Sequence, residues 1–146
     1  QLAMRLGEAY LFEGQPDRAA RLFDAIESRY RGFDLALGAH ADALALLGRT
    51  RDAERYYARA AAAHGRAARE TYALFVVSQP DVTPSDPALA RQGLIELAPT
   101  LAARGKRAAT VDRAATLLER WGEPSLAAAL RERAAALRRR AAGGAR

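Results

Sequence analysis

The side chains that most often do chemistry are few in this chain and badly spaced. Cysteine is absent, which removes thiol catalysis, thiolate ligands and disulfides. The two histidines, His40 and His64, have no second ligand at a spacing that would close a metal site or orient a base. His40 reads as a packed helix residue. His64 precedes Gly65 at a helix end, where a cation favours the terminal carbonyls. Gly105-Lys106-Arg107 lacks the upstream Gly and the following Ser or Thr of a phosphate-binding loop, and no Gly-x-Ser-x-Gly occurs. Carboxylate pairs such as Asp52 and Glu54 lie in Arg-rich stretches, where solvated ion pairing accounts for them. The expectation is no catalytic residue, no metal site and no cofactor, in a chain that is not an enzyme.

Charge offers a second chemistry. Residues 101–146 hold eleven basic and four acidic groups while the rest is nearly balanced, so the whole net charge of +6 lies in the last third. Arg131, Arg133, Arg138, Arg139, Arg140 and Arg146 form this basic end. A solvated terminal helix explains it; the sharper alternative is docking to nucleic acid or an anionic membrane. Trp121 is the lone aromatic in that third, so stacking on single-stranded bases has little support and nucleic acid is not the expected partner. Only one of the 23 basic residues, Lys106, is lysine; this Arg, Ala and Gly usage is what GC-rich codons produce and points to a bacterial source.

The elements that would position these groups are helices. Ala and Leu dominate, and β-branched and aromatic residues are sparse. No apolar run approaches the roughly 20 residues needed to span a bilayer. Gln1 replaces an initiator Met and no signal-like opening precedes it, so a fragment or processed product is expected. The cytoplasm is the expected compartment, with the periplasm or envelope as the alternative if a signal sequence has been removed.

An internal period organises the helices. Leu6-Gly7-Glu8-Ala9-Tyr10, Gly14, Ala19, Phe23 and Ile26 align, 34 positions later, with His40-Ala41-Asp42-Ala43-Leu44, Gly48, Ala53, Tyr57 and Ala60. Small matches small, Gly matches Gly and aromatic matches aromatic. Gly14, Gly48 and Gly122 can end helices, and Pro16 and Pro124 then fall near the first position of the next. Gly48 and Gly122 lie 74 apart, two periods plus six, so a repeat with a six-residue insertion fits between them. The lengthened turn is 79–86, with Ser85 or Asp86 as the following cap.

The stretch Leu6-Gly7-x-x-Tyr10-x-x-x-Gly14-x-x-x-x-Ala19-x-x-x-Phe23 resembles the tetratricopeptide repeat, closely over about 60 residues and loosely beyond. The resemblance implies an all-α fold, an α-solenoid of eight helices in four antiparallel hairpins: 1–13 with 16–30, 33–47 with 50–63, 66–78 with 87–103, and 107–121 with 124–140. The repeat domain then covers 1–141 and leaves 142–146 as a flexible tail. Phe75 stands where the repeat takes a small residue, so the third hairpin is expected to splay or sit at an altered angle. The last helix, with Leu126, Leu130, Ala134 and Leu137 on one face, reads as a polar cap.

In this family the first helices of the hairpins line a concave groove that binds a peptide or partner helix. Carried over by register, that face comprises Met4, Glu8, Leu11, Phe12, Leu35, Asp42, Leu46, Asp112 and Arg120. Glu8 and Asp42 would give it an acidic floor. Met4, Glu8, Gly38 and Asp42 do not match the Lys, Asn and Arg with which some members grip a C-terminal carboxylate. The implied function is a protein-interaction scaffold whose partner is another protein or peptide, possession of a larger parent chain or complex being compatible with it.

Overall fold

Glycine ends three helices in the same way. Gly14, Gly48 and Gly122 adopt φ of +72°, +75° and +81°, the left-handed region that other residues enter only at a cost. In the first turn Gly14 N–H donates to Leu11 O and Gln15 N–H to Tyr10 O. Gly48 and Arg49 donate likewise to Ala45 and Leu44, and Gly122 and Glu123 to Glu119 and Leu118. These bonds satisfy carbonyls that a helix end leaves open.

The computed structural model describes residues 1–30 and 34–145. The chain is all-α, with no strand among the described residues. Helix α1 spans Leu2–Phe12, α2 Pro16–Arg29, α3 Leu37–Leu46, α4 Thr50–His64, α5 Arg66–Ser78, α6 Pro87–Arg104, α7 Ala108–Arg120 and α8 Pro124–Gly144. A short 3-10 turn, Asp34–Ala36, leads into α3. The expected start of that helix at residue 33, and Arg146 of the basic end, lie outside the described residues. Prolines 16, 87 and 124 each open a helix, where their missing N–H has no intrahelical acceptor to lose.

Each helix packs against the next in the chain, and several reach the one after: α1 touches α3, α4 touches α6, α5 touches α7 and α6 touches α8. Small residues set the closeness of the paired helices. Gly7 faces Phe23, and Ala19, Ala53 and Ala127 are fully buried on α2, α4 and α8. On α6 the equivalent place is Ala90, also buried, and at Gly93, three residues on, an added Cβ would stand 2.1 Å from Arg69 O. The third hairpin therefore closes tightly rather than splaying at Phe75. The Phe75 ring turns to Tyr57 of α4, with centroids 4.7 Å apart, and so leaves the α5–α6 contact to smaller residues. Arg69 also grips Glu96 across this contact with bonds of 3.0 and 2.7 Å, which hold the Glu96 carboxyl below its usual range.

The core has two parts. Ala19, Phe23, Ile26, Ala36 and Ala43 pack the first hairpin onto one side of α3, while a larger cluster runs from Ala41 and Leu44 to Ala134.

Two expectations are corrected here. The segment assigned to a tail from residue 142 is helical to Gly144, because Ala141 and Ala142 are strong helix formers and nothing stops the helix before the glycine pair. Asp52 does form a solvated pair, with Arg49 at 2.8 Å, but Glu54 does not. It is 3% exposed, and one carboxylate oxygen accepts from Tyr72 OH at 2.5 Å and from the N–H and hydroxyl of Ser85, each at 2.8 Å. The 79–86 turn is thereby pinned to α4, and Asp86 is left to cap α6 by accepting from Leu89 N–H.

Candidate functional site

The first hairpin's α1 and the second hairpin's α3 flank a cleft of about 690 Å³. Seven of the nine residues assigned by register line it: Met4, Glu8, Leu11, Phe12, Leu35, Asp42 and Leu46. Helical spacing explains the grouping, since positions 4, 8, 11 and 12 share one face of α1, as 38, 42 and 46 share one of α3. Leu11 and Met4 are partly covered by the first hairpin's core. Phe12 is 94% exposed, and Leu35 and Leu46 also stand open. These uncovered apolar groups lie together on one surface.

Glu8 and Asp42 are the charged residues of the lining, which holds no cation. Asp42 is open to solvent on one side and accepts a short hydrogen bond from the Tyr57 hydroxyl beneath it. Loss of hydration raises the Asp42 carboxyl above its ordinary range, and the Tyr57 bond opposes that rise in part. The same burial, with Asp42 beside it, pushes the Tyr57 phenol well up, so Tyr57 is a hydrogen-bond donor and not a base.

Asp112 and Arg120 do not belong to this cleft. Hairpin three stands between them and α3, and its sole contribution to the lining is Thr71. Asp112 is held instead by Arg138 of α8, and Arg120 lines a separate cavity beside the 79–86 turn.

The basic end is partly neutralised by the chain itself. Arg131 pairs with Glu119 at 2.5 Å and Arg138 with Asp112. Arg133 donates to Gly105 O at 3.0 Å. Arg139 and Arg140 are exposed.

One grouping escaped the sequence reading. His40, 2% exposed, lies between two carboxylates of α2, with Nδ1 3.0 Å from Glu27 Oε1 and Nε2 3.8 Å from Asp24 Oδ1. The Tyr56 ring packs on it at 4.2 Å, and the Tyr56 hydroxyl, also bonded to Glu27, is raised by burial and by that charge. Asp24, Glu27 and His40 are of metal-ligating types, each offering an atom within 4.8 Å of the others. Asp24 and Glu27 stand three apart on one helix face, but their link to a histidine on another helix has no signature in local spacing. His64, at the end of α4, meets the Asp34 carbonyl oxygen with Nε2 at 2.6 Å.

The chain matches no model of a known protein family, and no curated protein matches it.

Proposed function

We propose that this chain is a helical-repeat module of the tetratricopeptide type, a binding scaffold rather than an enzyme, that holds a segment of another protein in the cleft between α1 and α3. The observation that carries this reading is the joint exposure of Phe12, Leu35 and Leu46 around one cleft whose charges, Glu8 and Asp42, are both negative. Uncovered apolar side chains gain by taking apolar anchors out of water, at about 25 cal/mol per Å² buried. Two carboxylates without a counter-charge select Lys or Arg beside those anchors. The occupant is accordingly a short segment with apolar side chains flanked by basic ones.

The alternative, docking through the basic α8 to nucleic acid or an anionic membrane, is weakened by the pairs Arg131–Glu119 and Arg138–Asp112, which spend two of its charges internally. No described helix is long and apolar enough to cross a membrane.

Peptide display against the intact chain tests the reading. Enriched peptides should combine Leu, Phe or Met with Lys or Arg, and Glu8→Lys with Asp42→Lys should abolish their capture. Arg138, Arg139 and Arg140 to Ala should leave it unchanged. Capture that survives the double charge reversal and fails in the triple Arg variant would overturn the assignment.

A further inference from the structure

The 79–86 turn and α7 enclose a second cavity, of about 310 Å³, that the N-terminal cleft does not use. We infer that it binds the phosphate group of a small molecule, through Arg113 and Arg120. Arg113 and Arg120 line the cavity, together with Thr83 and Thr116, and no acidic residue does. That sets them apart from Arg131 and Arg138 on the neighbouring helix, each of which already holds an acid. Neither Arg113 nor Arg120 has an acidic partner among the described residues.

Arg113 carries the second observation. Its Nη2 donates to the Pro80 carbonyl at 3.1 Å, which ties the turn to α7. Its Nε is buried with no acceptor, the sole side-chain atom in that condition among the described residues. An orphaned donor on a cation is costly, and a negative charge beside the same guanidinium would offset part of that cost.

The geometry favours phosphate over carboxylate. Arg113 and Arg120 are seven residues apart on one face of α7, about 10 Å along the axis at 1.5 Å per residue, and both line the same cavity, one from each end of that span. A planar carboxylate offers its oxygens to one fork. A tetrahedral dianion presents oxygens to both forks and to a hydroxyl, and its charge balances two cations.

The remaining wall is apolar, with Val76, Val82 and Leu117, and the volume lies at the small end of ligand sites. A compact, partly apolar organic phosphate therefore suits it better than inorganic phosphate. The wall is built before any ligand arrives. Ser85 is fixed to Glu54 by two bonds of 2.8 Å, and Asp86 caps α6. This gives the 79–86 insertion a purpose that connecting two helices does not require.

Titration of the intact chain with phenyl phosphate, followed by amide chemical shifts and calorimetry, tests the inference. Saturable binding is expected, with shifts on the turn and α7. Arg120→Ala, an exposed position whose truncation leaves the core intact, should weaken it at least tenfold, as should Arg113→Gln. Arg140→Ala should leave it unchanged. Inorganic phosphate and benzoate should each bind at least tenfold more weakly than phenyl phosphate. Absence of saturable binding at low millimolar ligand, full binding by Arg120→Ala, or an equal loss in Arg140→Ala would overturn the site. Equal affinity for benzoate would overturn the phosphate assignment. Retention on phosphatidic acid vesicles that depends on Arg120, with no response to phenyl phosphate, would overturn the small-molecule source in favour of a lipid headgroup.

Discussion

Gly7 and Phe23 meet with no space between them: a Cβ added to Gly7 would lie 2.4 Å from both Cε1 and Cζ of the ring. The glycine thus allows α1 to lie on the fully buried aromatic of α2. Gly7→Leu should overpack this contact and cost about 1–3 kcal/mol in urea unfolding. Gly7→Ala should cost less, and Phe23→Leu in the same chain should recover part of the loss. An unchanged unfolding midpoint in Gly7→Leu would contradict the packing described.

Gly93 poses a harder version of the same problem. The atom that its Cβ would strike is the Arg69 carbonyl oxygen, at 2.1 Å, and helix backbone cannot rotate aside as a ring can. Gly93→Ala should therefore destabilise more than Gly7→Ala, although alanine is the better helix former by about 1 kcal/mol. Paired urea titrations of the two variants check the order.

Glu54 is the anchor of the 79–86 turn. Glu54→Ala should leave the buried Tyr72 hydroxyl and the Ser85 N–H without their acceptor, at a cost of about 1–3 kcal/mol for each group left unpaired. Tyr72→Phe removes one bond only and should cost less. Hydrogen exchange at residues 81–86 should accelerate in Glu54→Ala, while the first hairpin, in a separate core cluster, keeps its protection.

Asp42 supplies a pH dependence whose sign is fixed. Its carboxyl is raised in the folded chain above the ordinary carboxylate range, chiefly by loss of hydration. The folded state then holds the proton more tightly than the unfolded one, so stability falls as pH rises from the ordinary carboxylate range through the raised pKa. Subtracting the stability–pH curve of Asp42→Asn from that of the parent should isolate this fall. Because the Tyr57 bond favours the ionised form, Tyr57→Phe should move the Asp42 titration still higher, readable from its side-chain carbon shifts. A downward move would contradict the bond.

The helices and their turns were legible in the sequence because the signals that end and start them are local. Gly14, Gly48 and Gly122 make the same pair of hydrogen bonds at their turns, so the same residue type in the same local setting ends each helix alike. The cleft residues came from the resemblance, which assigns one face of the first helices to a groove; Met4, Glu8, Leu11 and Phe12 share such a face of α1 and line the cleft together. The extent of that cleft was not legible. The register that placed Asp112 and Arg120 with them takes no account of the third hairpin, or of the Arg138 side chain that draws Asp112 to α8.

The sequence by itself determined the all-α class and the boundaries of most helices. These depend on local hydrogen bonding and on which face of a helix is apolar, and both are written into spacing along the chain. Tertiary structure alone decided that Glu54 is buried under the inserted turn, that His40 sits between Asp24 and Glu27, and that Arg113 and Arg120 share a cavity with Thr83. Most of these contacts join residues of separate elements. Whether a charged side chain there meets water, an acid or an unfilled space is set by how the elements pack, and no periodicity records it.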